Sequence, residues 1–275
     1  MTDKLPDTPR WRPARALKLS AVLHAATAAA VVATPEGWAM GLSVLAANHL
    51  ALAGAGLAPR STALGPNLTR LPDAARARGE VALTFDDGPD PTLTPQVLDA
   101  LDRHGARATF FCVGERARAC PSLVREMVDR GHRVENHTQR HPTAFGWYGL
   151  AQLRREIAEA QDTLGAITGT PPRFFRAPFG MRNPLLDPAL AAAGLRLVSW
   201  TRRGYDTVDA RTERVLERLT RGLAGGDILV LHDGVATGRR ATAPATLAVL
   251  PRLLDGLASR GLRPVTLHEA CVVGA

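Results

Sequence analysis

The sequence predicts an α/β protein built on a mainly parallel sheet and preceded by an N-terminal two-helix hairpin. Three observations carry this expectation. From Glu80 onward, short runs rich in strand-forming residues alternate with longer amphipathic segments. Several of those runs end on acids or histidines, as Val81–Phe85 ends on Asp86 and Asp87. Ahead of residue 59 lie two apolar stretches, each about the 20 residues that cross a bilayer as a helix. The β-α alternation implies a sheet closed or curled by outer helices, and alone it does not separate an open sheet from a barrel.

With 275 residues, one ordinary domain plus an extension fits better than two full domains. The expected division is a tail and hairpin over 1–58, a linker over 59–79 and a folded catalytic domain over 80–275. Residues 1–15 are polar and rich in Arg and Pro, and the apolar stretches Ala16–Thr34 and Trp38–Ala58 follow, joined by the tight turn Thr34-Pro35-Glu36-Gly37. Both stretches are Ala-rich and are interrupted by His24, Asn48 and His49. A soluble hairpin packed on the domain, or a signal peptide for the first stretch, competes with a membrane hairpin, and the membrane reading is favoured. Basic residues flank both outer ends (Arg10, Arg12, Arg15, Lys18; Arg60, Arg70, Arg76, Arg78), while the turn carries only Glu36. The positive-inside rule then puts both outer ends in the cytoplasm, so the expected place is a bacterial inner membrane with the domain facing the cytoplasm. Pro59, Gly65, Pro66 and Pro72 mark 59–79 as a linker lying along the surface.

The elements of the domain follow in order. A strand over 80–86 leads to a helix near 94–104, a strand over 108–113, a helix near 115–130 and a strand over 132–136. In 148–168, Leu150, Leu153, Ile157 and Leu164 recur at helical spacing with charges between them, which predicts an amphipathic helix. A strand over 173–176, a helix near 184–193, a strand over 195–200, a helix near 210–224, a strand over 227–232, a helix near 244–260 and a strand over 263–267 complete the set.

Composition excludes some functions. A formal charge of +8 admits nucleic acid or anionic lipid as partners. The basic residues are nearly all arginine, with Lys4 and Lys18 the only lysines, and no aromatic-studded basic stripe appears, which argues against nucleic acid. Cys112, Cys120 and Cys271 form neither a disulfide framework nor a zinc knuckle, and read as buried or incidental thiols.

The chemistry begins at Thr84-Phe85-Asp86-Asp87-Gly88-Pro89. Two adjacent carboxylates at the mouth of a buried strand are unfavourable unless a cation sits beside them. His137 and His141 lie four positions apart in His137-Thr138-Gln139-Arg140-His141-Pro142, and in a helical turn that spacing puts both rings on one side. One carboxylate and two imidazoles with open positions suit a catalytic divalent metal.

These two motifs resemble those of the polysaccharide deacetylases, also called the NodB-homology or carbohydrate esterase 4 family, and the resemblance runs from about Glu80 to the C-terminus. It implies a distorted, incomplete (β/α) barrel of seven strands, with the chemistry at the C-terminal strand ends. It also implies a divalent ion, commonly zinc, with cobalt or manganese accepted, on Asp87, His137 and His141. Asp86 is then the general base. Arg176-Ala177-Pro178-Phe179-Gly180 resembles the third motif, with Arg176 holding Asp86 and the Phe179 backbone N–H facing an oxyanion. The family often has Tyr at the Phe179 position and Pro where Ala177 stands. His232, in Leu231-His232-Asp233, resembles the fifth motif and would protonate a leaving amine. The fourth motif departs most. Asp206 remains as a partner that raises the pKa of His232, but Arg203 stands where the family has an earlier Asp and Thr207 where it has Trp. Loss of that aromatic wall implies a smaller or differently shaped substrate. The expected activity is removal of an N-acyl group, foremost acetyl, from an amino sugar. A non-sugar amide or formamide substrate, or a silent saccharide-binding membrane protein, are the alternatives.

Overall fold

The structure is a computed structural model that describes residues 11–235 and 245–272. Arg10, part of the expected basic flank, lies outside the described residues.

Strand β1 (Glu80–Asp86) is the middle of an eight-stranded parallel sheet because both of its edges are taken. One edge pairs with β7 (Ile228–His232) from Ala82 to Asp86. The other is shared: Glu80–Ala82 pairs with β8 (Arg263–Val265) and Thr84–Asp86 with β2 (Thr109–Cys112). A strand covered on both edges and both faces shows no polar side, so its sequence reads as a near-continuous apolar run. Beyond β2 the sheet continues through β3 (Arg133–Asn136), β4 (Phe174–Phe175) and β5 (Arg196–Leu197), and beyond β7 it ends in β6 (Arg202–Arg203).

Among the described residues the curled barrel has eight short strands rather than the seven expected, because the strand expected over 195–200 is cut short at β5 and a further strand, β6, forms just beyond it. β5 pairs with β4; the chain then bends and pairs as β6 with β7. One segment therefore touches both ends of the sheet and draws it into a distorted, incompletely paired barrel. The seam is filled by residues expected to lie along the surface. Leu68 makes a parallel bridge with Val198, and its N–H and C=O bond Leu197 and Ser199 at 2.9 Å each. Leu64, Leu71 and Ala75 are buried, the last in α3 (Asp73–Ala77). Unpaired backbone groups at an open barrel seam are unfavourable, and this stretch satisfies them.

Helices α4 (Leu93–Arg103), α5 (Gly114–Ala119), α6 (Pro121–Asp129), α7 (Leu150–Thr168), α8 (Leu186–Ala192), α9 (Thr212–Thr220) and α10 (Thr246–Ala258) cover the sheet, and α11 (Leu267–Val272) follows β8. The single helix expected over 115–130 breaks at Cys120, since Pro121 has no N–H to continue it and instead opens α6. Strand alternation separates two apolar layers. Val81, Leu83, Phe85, Phe110, Leu229 and Leu231 pack outward beneath the helices. Ala82, Phe111, Phe174, Val198 and Ile228 fill the interior.

The hairpin is α1 (Arg15–Ala33) and α2 (Trp38–Leu57), both long and apolar enough to cross a membrane. Leu19, Val22, Val32, Met40 and Leu50 are exposed on it. Its polar groups pair with each other: Asn48 donates to the Ser20 hydroxyl at 2.8 Å, and the His24 and His49 Nε2 atoms lie 3.2 Å apart. Gly41 permits the close approach, since a Cβ there would sit 2.9 Å from Val31. At the far end of α2, the Arg182 N–H donates to the Gly56 carbonyl at 3.0 Å.

Candidate active site

The interior-facing parity of each strand, carried one step past its C-terminal end where needed, decides which side chains meet. Asp86 ends β1, His137 follows β3, Arg176 follows β4, Arg203 ends β6 and His232 ends β7. Asp86, Asp87, His137, His141 and His232 line one hollow, with Arg176 beneath it.

Asp87, His137 and His141 are buried together, with their candidate ligand atoms within 4.8 Å of one another. The Asp87 Oδ1 atom lies 3.1 Å from His141 Nε2 and 3.4 Å from His137 Nε2. Such separations suit donors that each sit about 2.0–2.2 Å from one ion. The Arg176 carbonyl, 2.8 Å from His137 Nδ1, accepts a hydrogen bond from that nitrogen and so favours the tautomer whose Nε2 can ligate an ion. The donor set therefore fits a divalent metal. Burial alone would raise the Asp87 pKa, but its close pairing with His137 and His141 and the charge of His232 hold it well below the usual range. Burial likewise lowers the pKa of His141, which favours the neutral, ligating imidazole.

The histidines do not share a helical turn, as their spacing suggested. They flank a loop in which Thr138 and His141 adopt left-handed φ of 67° and 52°. That loop is pinned locally. Asn136 Oδ1 accepts from Thr138 N–H and Thr138 Oγ1 from His141 N–H, both at 2.9 Å. From α7, the buried Glu156 carboxylate accepts from the Gln139 and Arg140 amides at 3.1 and 2.9 Å. Asp87 (φ 70°) and Phe179 (φ 58°) are also left-handed. Such conformations cost about 1–3 kcal/mol each and persist where the surroundings over-determine them.

Asp86 meets Arg176 at 2.6 Å. The same guanidinium donates to Thr84 Oγ1 at 2.8 Å and to the Ser199 carbonyl at 2.9 Å, and it stacks 4.1 Å over the Phe111 ring. Though 1% exposed, the cation is surrounded by acceptors. On the other flank, Asp206 accepts from His232 Nδ1 at 2.9 Å, from the His232 amide at 2.8 Å and from the Thr246 hydroxyl at 2.7 Å. Burial pulls the His232 pKa down, but the charge and hydrogen bond of Asp206, with Asp87 and Asp86 beyond, push it up to about 9.

Phe179 packs its ring edge-on to His141 at 4.9 Å between centroids. The neighbouring amides of Gly180 and Met181 bond the Ala177 and Pro178 carbonyls, and no hydrogen bond from the Phe179 amide occurs among the described residues. Gly180 is wedged against the end of the hairpin: a Cβ there would sit 2.7 Å from both Pro59 and Trp200. Every residue proposed from the sequence thus lies at or directly behind this hollow. Trp200 lines it as well, and Thr84, Glu156 and Thr246, which sequence did not single out, support it. Thr84 shares the interior parity of Asp86 and could have been found that way, whereas Glu156 and Thr246 reach the site only through packing.

An aspartate–arginine pair, a histidine–aspartate pair and a metal-competent cluster meet on the C-terminal rim of a parallel barrel, an arrangement suited to a hydrolase. A family model described as polysaccharide deacetylase matches residues 73–198. A chitooligosaccharide deacetylase of Sinorhizobium fredii is 35% identical over 200 residues, covering 70% of this chain and 93% of that protein. A crystallised family 4 carbohydrate esterase from Streptomyces lividans in complex with acetate has 38% identity and a TM-score of 0.61, over 68% of this chain and 91% of that one. A crystallised peptidoglycan N-acetylglucosamine deacetylase has 26% identity and a TM-score of 0.67, over 74% and 92%. The chain belongs to the polysaccharide deacetylase (NodB-homology, carbohydrate esterase 4) family, and is a hydrolase of non-peptide carbon–nitrogen amide bonds.

Proposed function

We propose that the protein removes an N-acyl group, foremost N-acetyl, from an amino sugar within a poly-, oligo- or lipid-linked saccharide. The observation that carries this is the convergence of the Asp86–Arg176 pair, the Asp87–His137–His141 cluster and the Asp206–His232 pair on one hollow. The names of the chitooligosaccharide and peptidoglycan deacetylases support the sugar, and the acetate bound to the Streptomyces esterase supports the acyl group.

Asp87, His137 and His141 would hold a divalent ion, zinc in first place, with cobalt or manganese as substitutes. Such an ion supplies Lewis acidity that polarises the acyl carbonyl and acidifies water toward neutrality. Asp86 takes a proton from the water that attacks the acyl carbon, held in place by Arg176. The Phe179 N–H donates to the oxygen on which negative charge develops. Protonated His232, oriented by Asp206, gives its proton to the amide nitrogen as the C–N bond breaks, releasing a carboxylate and a free amine. A silent saccharide binder has no use for both a base and an acid so placed.

The hairpin supports a membrane-bound form. Its polar atoms pair internally, as a bilayer requires, and its exposed face is apolar. Because α2 ends against the rim of the hollow at Gly180 and Arg182, a saccharide held at the membrane surface is within reach. The catalytic domain 80–275, its seam closed by the stretch around Leu64–Ala75, then lies on the cytoplasmic side of the inner membrane. Acetate release from a panel of N-acetylated saccharides, with and without chelator and beside Asp86→Asn, tests the chemistry. Equal release in all cases would sink it, and an active alkaline phosphatase fused to the C-terminus would overturn the orientation.

A further inference from the structure

Arg203 lines the same hollow, and the chemistry above gives it no task. Strand alternation divides the arginines of β6. Arg202 turns outward to Asp227 and to the carbonyls of Arg221 and Gly222. Arg203 turns inward, in register with Val230, which precedes His232 by two residues on the same face. Its Nε is buried and has no hydrogen-bond partner, and no carboxylate pairs with it among the described residues. The acids nearby are committed elsewhere. Arg176 takes Asp86, His232 and Thr246 take Asp206, and Arg211 and Arg218 take Asp209.

What surrounds Arg203 orients it without neutralising it. The guanidinium lies 5.1 Å from the Trp200 ring centroid and 5.0 Å from that of Tyr205. Tyr205 reaches this position from a left-handed backbone, φ 62°. Aromatic faces stabilise a cation but offer no acceptor to its N–H donors. Thr207, a small side chain, lines the hollow close in sequence and leaves room beside it. A partly buried cation with an unused donor, held in place at the edge of a reaction hollow, is unfavourable until an anion arrives. A planar guanidinium is suited to the paired oxygens of a phosphate or carboxylate.

We propose that Arg203, framed by Trp200, Tyr205 and Thr207, is the subsite for an anionic group carried by the N-acylated amino sugar. The inference rests on the deacetylase reading and narrows it: the preferred substrate bears a phosphate or a carboxylate near its scissile amide, and neutral chitooligosaccharide is the poorer substrate.

The test uses the full-length, metal-loaded protein with three probes: N-acetylglucosamine 1-phosphate, N-acetylmuramic acid and neutral N,N′-diacetylchitobiose. Acetate release should favour at least one anionic probe by about tenfold or more in kcat/KM. Arg203→Gln should remove that preference through KM, while changing the neutral probe less than about twofold; Arg203→Lys should restore part of it. The better of the two anionic probes identifies phosphate or carboxylate as the recognised group. Calorimetric binding of the same probes to Asp86→Asn, with and without Arg203→Gln, reads the subsite independently of turnover. Equal losses on neutral and anionic probes, or anionic binding unmoved by Arg203→Gln, would overturn the subsite and leave the deacetylase reading standing. Absence of acetate from all probes, with anionic binding still dependent on Arg203, would instead remove the deacetylase reading and keep the subsite.

Discussion

Asp86 and His232 are partners in register across the parallel pair β1 and β7, each the last residue of its strand. Parallel neighbours lie about 4.8 Å apart, so the proposed base and acid stand side by side with their side chains in the same hollow. Each is buttressed from its outer side, Asp86 by Arg176 and His232 by Asp206.

Residues that act on one bond as a unit lose activity non-additively. Asp86→Asn and His232→Ala are each expected to lower kcat by about 10²–10⁴-fold. The double variant should lose clearly less than the product of the two. Fully multiplicative losses in steady-state kinetics would mean that the two residues do not serve the same step.

The second expectation concerns pH. The folded-state pKa of His232, about 9, lies above the ordinary 6.5 because Asp206 outweighs the effect of burial. Its protonated form is therefore favoured by folding. The stability it contributes is complete below about pH 6.5 and is lost as pH rises through about 9. Activity that needs the protonated ring should fall over the same alkaline limb. Asp206→Asn removes the raising charge, so the alkaline limb of kcat/KM should move to lower pH. A limb that stays in place would dissociate His232 from the observed titration.

Arg176 is a third point of test. Replacing it by Met keeps much of the length but leaves Asp86 and the Ser199 carbonyl without their donor. Removing one partner of a buried ion pair costs about 3–5 kcal/mol. Denaturant unfolding should show a loss of that order, accompanied by a loss of activity. A variant as stable as the parent would show that the pair contributes nothing to the fold.

Gly180 links the hairpin to the hollow. Its φ of 74° and its 2.7 Å clearances to Pro59 and Trp200 leave no room for a Cβ. Gly180→Ala is expected to destabilise the protein by about 1–3 kcal/mol and to raise KM by shifting Trp200 and Phe179. Thermal unfolding and steady-state kinetics of the same preparation check both, and an unchanged KM would argue that the rim is not coupled to the substrate.

Much of this was legible in the sequence. The buried strand ending on Asp86 and Asp87, the His137 and His141 motif, the strand end at His232 and the apolar hairpin are local patterns, in which spacing and alternation state the physics directly. Tertiary structure alone decided how they meet. It replaced the expected helical turn of the histidines with a left-handed loop pinned by Glu156. It cut the strand expected over 195–200 short at β5 and added β6 just beyond it, so that one segment pairs with both ends of the sheet, and it drew Leu68 into the seam. It also left Arg203 facing the hollow while Arg202 found its partners outside. The reason is one of range: strand and helix patterns follow from neighbours a few residues apart, whereas barrel closure, seam filling and the pairing of buried charges depend on groups tens of residues distant that only the assembled sheet brings together.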